Sequence, residues 1–166
     1  MYRLIDDFIC DWQLESESTL EVMRNISDNV LHKKEFENVR SIARLCWHFT
    51  ITISEMINKT GINVNGPDEH SMPPEGISEI IEAYKTSSAS LVDAVKSSWQ
   101  DIDLIVEQNM YGEIWKNGKT LSVLITHQAH HRGQLIVLMR QAGLRVPGIY
   151  GPAKEDWAEY GKPSAE

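Results

Sequence analysis

Apolar residues recur at three- and four-residue spacing in four segments of about 20 residues, the period of one face of an α-helix. In the first, Leu4, Ile5, Phe8, Ile9 and Trp12 share a face. Leu20, Met23 and Ile26 resume it beyond a polar patch at residues 15–18, which predicts one helix over residues 2–26. Ile42, Leu45, Cys46, Phe49, Ile53, Met56 and Ile57 predict a second over 39–60, with Gly61 placed for a left-handed stop. Ile77, Ile80, Ile81, Tyr84, Leu91 and Val95 predict a third over 77–99. After a turn signal at Asn117-Gly118, Thr120 suits an N-cap for a fourth over 121–142, stopped by Gly143.

The segments between are punctuated rather than periodic. Residues 27–38 are polar, and 62–76 carry Gly66, Pro67, Pro73 and Pro74, a loop long enough to cross the end of a bundle. Residues 101–115 read as a short helix or irregular chain. Gly151-Pro152 opens a last short helix, with Glu155 and Asp156 near its positive end. No alternation of the strand type stands out. The expectation is an all-α four-helix bundle with a long crossover loop and a short C-terminal helix, one domain over residues 1–166. A chain of 166 residues buries roughly two-thirds of its unfolded surface, enough to fold without staples.

Charge narrows the function. Against 16 Lys and Arg stand 24 Asp and Glu, a net charge of −8. That balance argues against a nucleic-acid partner, because phosphate binding relies on clustered cations. It leaves room for a small anion at one local site. No run of about 18 apolar residues is present, so no membrane-spanning helix is expected. The first residues place acids within the apolar stretch and lack the pattern of a secretory signal. Cys10 and Cys46 are too few for a disulfide framework and read as buried free thiols in a reducing cytoplasm.

The histidines carry the chemistry. His127 and His131 are four apart in the fourth helix, so they share a face and can chelate one metal. His131 falls on the stripe Leu124, Gln128, Leu135, Leu138 and is expected to point inward. His48 lies midway along the second helix, with Arg44, Thr52 and Glu55 on its own face, a polar seam beside the apolar stripe. If the two seams meet, three imidazoles converge in the bundle. The same spacing also suits a solvated pair, or core histidines bonded to polar neighbours. His130 lies off the shared face and reads as surface. His32 and His70 lie in polar loops. Gly133 marks either a close approach by backbone or ligand, or simple tolerance. Arg132 reads as solvated or at a dimer rim. Gln134 shares the face of the histidine pair and is placed to orient a ligand. Glu55, two turns beyond His48, is placed to accept a histidine N–H or act as a base, or is simply solvated. Tyr150 in the tail either closes over the mouth of the site or packs as an ordinary aromatic.

Trp47-His48, the segment THQAHHRGQL from Thr126 to Leu135, and PGIYGPAKEDW from Pro147 to Trp157 together resemble the DinB/YfiT-like metalloprotein superfamily. The resemblance extends over nearly the whole chain. It implies a four-helix bundle, often a homodimer, holding a divalent metal, zinc or nickel, through His48, His127 and His131. It also implies a thiol-dependent S-transferase or isomerase, with a bacillithiol-type thiol and an electrophilic small molecule as partners. Three protein ligands leave a coordination position open. A metal-dependent hydrolase using bound water, and a non-catalytic metal-binding stress-response protein, are the alternatives. The chain has no His-Glu-x-x-His segment and no phosphate-binding glycine loop. Asp101 and Asp103 read as helix-start residues.

Overall fold

The computed structural model describes residues 1–34 and 37–163. Five helices carry the fold: α1 (Ile5–Arg24), α2 (Asp28–Leu31), α3 (Ile42–Asn58), α4 (Ile77–Ser98) and α5 (Asn117–Gln141). The four long ones are the four read from the periodicity. α2 is a single turn in the polar stretch 27–38, of which residues 35 and 36 lie outside the described residues.

Local chemistry sets the helix starts. Ser41 Oγ accepts from the Arg44 N–H at 3.1 Å, so α3 begins at Ile42 rather than at residue 39. Distant carboxylates serve two others. Asp101 Oδ1 accepts from Ile5 N–H and Asp28 Oδ1 from Ile77 N–H, both at 2.8 Å. Each bond satisfies an orphan helix donor and ties a helix start to another part of the chain. α5 begins at Asn117, and Thr120 lies inside it rather than at its cap. Asn117-Gly118 therefore opens the helix instead of turning the chain. A Cβ on Gly118 would stand 2.4 Å from the Tyr2 carbonyl oxygen, so only glycine lets α5 start against the N-terminal segment.

α1 and α3 each lie against both α4 and α5. The side-chain bonds give the directions. Residues 59–76 run back along the bundle: Asn58 Oδ1 accepts from Val64 N–H (2.7 Å), Ser90 Oγ from Asn65 N–H (2.8 Å), and Ser71 Oγ from Trp47 Nε1–H (3.0 Å). This is the long crossover, and it makes α3 and α4 parallel. α1 and α5 are parallel to each other and antiparallel to that pair. Phe8, Trp12, Phe49, Leu91 and Leu124 fill the centre, and Trp12 Nε1–H donates to Ser88 Oγ at 2.9 Å.

Three expectations are corrected. Residues 101–115 contain a 3-10 turn (Asp101–Ile105) and then a hairpin of β1 (Glu107–Met110) and β2 (Glu113–Lys116), paired antiparallel with Gln108 opposite Trp115. Of its eight strand residues only Met110 is buried, so no apolar alternation announces it. The short helix of the tail is a three-residue 3-10 segment, Lys154–Asp156, that starts after Ala153 rather than at Gly151-Pro152. Of the two thiols, Cys46 is buried but Cys10 is exposed.

A fourth correction concerns α5. Its buried stripe is Leu121, Leu124, Gln128, Arg132, Leu135 and Met139, not the one through His131 and Leu138. Arg132 is only 1% exposed. It donates to the Glu15 carboxylate (2.6 Å), the Glu15 carbonyl (3.0 Å) and Thr19 Oγ1 (3.1 Å). The polar patch that interrupts the α1 stripe is its docking site. Arg132 also donates to the Tyr150 hydroxyl, which donates to Glu15 at 2.7 Å. The tail is thereby pinned to α1 and α5.

Removing one partner of a buried ion pair strands the other in low dielectric. Arg132→Met should lower the unfolding free energy by about 3 kcal/mol. Tyr150→Phe, which removes a more exposed group, should cost about 1 kcal/mol or less. Urea denaturation of both variants checks the ranking, and equal losses would contradict it.

Candidate metal centre

Burying Arg132 on α5 turns His127 and His131 to the flank of the helix that meets α3. His48 approaches from α3. The three ring centroids lie 5.0 Å (48–127), 4.6 Å (48–131) and 4.5 Å (127–131) apart. One nitrogen from each ring can be chosen so that all three lie within 4.8 Å of one another. All three side chains are half-buried. The two seams read from the sequence do meet.

The register that brings them together is held one residue away. Gln128 Nε2 donates to the Phe49 carbonyl at 3.1 Å, and Gln128 Oε1 accepts from the Tyr84 hydroxyl at 3.2 Å. Gln128 follows His127 and Phe49 follows His48, so this fully buried link sets how far α5 slides along α3.

Each imidazole is tuned to be neutral. Loss of hydration is the leading cause at all three, because burial penalises the charged form. It takes His48 from 6.5 down to about 3, helped by the positive charge of Arg40 and by the other two rings. His127 falls to about 4, with His131 and His130 adding to the desolvation and Glu55 opposing it. His131 is lowered too, against a bond to Gln134 that favours its charged form. A metal ligand must be unprotonated, and these rings are so at neutral pH without expelling a proton.

Hydrogen bonds select the free lone pairs. His131 Nδ1–H donates to Gln134 Oε1 at 2.7 Å, which leaves Nε2 as its lone-pair nitrogen. The same amide donates to His130 Nε2 at 3.1 Å. Gln134 thus holds the His131 ring, and exposed His130 bonds to the other end of the same amide. His127 Nδ1 is buried and has no hydrogen-bond partner among the described residues. A buried imidazole nitrogen without a partner calls for an explanation, and a cation held through that nitrogen would supply one. Three neutral nitrogen donors and one such orphan fit a divalent cation of the zinc or nickel type.

The other expected residues fall in different places. Glu55, two turns beyond His48 on α3, accepts from the Tyr111 hydroxyl through its carboxylate (2.7 Å) and pairs with Lys59 (3.1 Å). Tyr111 holds a left-handed φ of 57° to reach it from the hairpin. Tyr150 does not reach over the rings, since Glu15 and Arg132 hold its hydroxyl. Among the described residues, nothing beyond Gly133's chain neighbours and the adjacent backbone of its own helix comes within 4 Å of a Cβ built on it, so packing does not require glycine there. Arg44 donates to the Ser71 carbonyl at 3.0 Å. A cleft of about 620 Å³ opens beside His131 and Gln134, between Arg40 and the last turns of α5. Sequence reasoning passed over Arg40, which precedes the first residue of the apolar stripe at Ile42, and Tyr111, which lies in a segment without periodicity. Arg132 was detectable as the one charge in the 121–124–128–132–135–139 stripe.

Comparison with known proteins agrees with this picture. The model of the DinB family matches residues 1–165. The chain is 37% identical over 161 residues to the uncharacterized protein YrdA of Bacillus subtilis (strain 168), covering 97% of this chain and 96% of that one. The crystal structure of a DinB-like protein from Bacillus cereus ATCC 10987 superposes with a TM-score of 0.86 at 35% identity, over 90% of this chain and 100% of that one. A second DinB-like protein, YjoA of Bacillus subtilis, shares the fold, with a TM-score of 0.67 at 17% identity over 86% and 97% of the two chains.

Below the ordinary value of 6.5 the unfolded chain binds protons that the folded rings refuse. Stability from this source is therefore complete above 6.5 and declines as the pH falls toward about 4 for His127 and about 3 for His48. Urea midpoints of the metal-free protein should drop across that window, and less steeply in His48→Gln. Identical pH slopes for the two proteins would contradict the assignment.

Proposed function

The chain belongs to the DinB family, and on that footing we propose that it holds one divalent cation through His48, His127 and His131 and acts as a metal-dependent thiol S-transferase on small electrophiles. The observation that carries this reading is the meeting of three neutral imidazoles from two helices, one with an orphaned buried nitrogen.

A divalent cation with three protein donors and a vacant position supplies Lewis acidity, which lowers the pKa of a thiol or of water. The chain's own residues prepare the rest. Gln134 fixes the tautomer and plane of His131. Gln128 and Tyr84 fix the spacing of the two helices that carry the ligands. Glu55, held by Tyr111 and Lys59, adds a negative charge that is felt at His127 and favours a cation there.

The thiol comes from outside the chain on this account. Cys46, two residues before His48, is fully buried, and burial pushes its thiol up, away from the thiolate a nucleophile requires. Cys10 lies on α1, which contributes none of the three imidazoles. A low-molecular-weight thiol of the bacillithiol type meets the need. The cleft beside His131 offers the electrophile a place to bind. Glu55 favours a second reading, hydrolysis, in which its carboxylate takes a proton from water. Dependence of turnover on thiol separates the two. A homodimer in the cytoplasm completes the proposal.

His48→Ala, His127→Ala and His131→Ala should each lose the one equivalent of metal that elemental analysis finds in the parent, with helical circular dichroism retained. Gln134→Leu should keep the metal but bind it about tenfold more weakly. The metal-loaded protein should conjugate bacillithiol to a chromogenic electrophile faster than buffer does. Full metal retention in all three histidine variants would remove the site. Turnover without thiol would favour hydrolysis.

A further inference from the structure

The cleft beside the three imidazoles has a chemistry of its own. Leu45 from α3 and Val137 and Leu138 from α5 give it aliphatic walls. His131 and Gln134 form the end that meets the metal centre, and Arg40, just before α3, contributes the one charged side chain among the described lining residues. Along α5 the cleft runs from His131 to Gln141, about 15 Å at 1.5 Å per residue. Val137 is 54% exposed, so its side chain is open to a ligand in the cleft.

Charge sharpens the picture. The chain carries a net −8, yet no carboxylate is among the described residues lining this cleft. Arg40 lines the same cleft as His131 and Gln134, so its guanidinium shares a wall with the polar end that adjoins the rings. An arginine at the polar edge of an aliphatic cleft matches a carboxylate on a short apolar body, since its planar fork pairs with a carboxylate in two parallel hydrogen bonds.

We propose that this cleft seats the electrophilic substrate, and that the substrate is a small amphipathic carboxylate whose anionic group pairs with Arg40 while its apolar body lies on Leu45, Val137 and Leu138. The inference rests on the transferase reading, because it is that reading which calls for an electrophile. A bound cation would give an incoming thiol an anchor for its sulfur, whereas an electrophile would have no such anchor and needs a surface that recognises its body. Arg40 is then a specificity residue, one that selects acids over their neutral analogues.

Calorimetric titration with hexanoate and with hexanamide tests this on the full chain, both metal-loaded and after chelator treatment. Hexanoate should bind in both states, about fivefold more tightly than hexanamide. Arg40→Gln should abolish that preference while keeping the parent's metal content, and Val137→Ser should weaken both probes alike. Saturating bacillithiol should leave hexanoate binding in place. Binding confined to the metal-loaded state and indifferent to Arg40→Gln would mean that the cation holds the carboxylate, which overturns the proposal. So would displacement of hexanoate by bacillithiol, or no binding in either state. Metal content read on the same samples keeps the outcomes separate: a parent that binds hexanoate but no metal sinks the transferase reading, whereas one that binds metal but no hexanoate sinks only the cleft.

Discussion

Gln128 stands where three helices meet, and the candidate site depends on what it does there. Its amide joins the Phe49 carbonyl of α3 to the Tyr84 hydroxyl of α4. A buried amide is costly unless bonded, so the core has essentially one register in which α5 lies against α3 without penalty. In that register His127 lies level with His48. Arg132, one turn further along α5, does the same for rotation: its three-way grip on Glu15 and Thr19 turns the helix so that His131 falls on the flank. Two buried polar anchors on one helix thus aim two imidazoles at a third.

The same arrangement accounts for the electrostatics. Half-burial strips enough water from the rings to hold them neutral, yet leaves one side open to a cleft. A deeper site would exclude a ligand, and a shallower one would let the rings protonate. The Glu55 carboxylate, held by the hairpin through Tyr111, is felt at His127 as negative charge, and Arg40 on the cleft wall is felt as positive charge at the rings. Charges of both signs therefore act on the centre, which suits bringing a cation and an anionic small molecule together.

Much of this was legible in the sequence, for definite reasons. Long helices with three- and four-residue spacing declare themselves, and histidines four apart on one of them must share a face. His48 could be paired with them only through the polar seam on its helix. What stayed hidden involves contacts across long sequence distances or segments without period. The α5 stripe was read one position off at Arg132 because a charged residue counts against burial until its partner on α1 is known. The interruption at residues 15–18 was the other half of that contact. The hairpin was missed because its strands bury a single side chain. Tyr150 reads either as a cover over the mouth of the site or as an ordinary packing aromatic, and the bond that decides, to Glu15, spans 135 residues.

Anomalous diffraction from crystals of the zinc- or nickel-loaded protein tests the central claim most directly. The account predicts one strong peak at bonding distance, about 2.0–2.1 Å, from a nitrogen of each of His48, His127 and His131, with His131 bound through Nε2 and at least one further position open to solvent. A peak bound by fewer than three of these rings, a peak elsewhere on the chain, or no peak at full metal loading would contradict it.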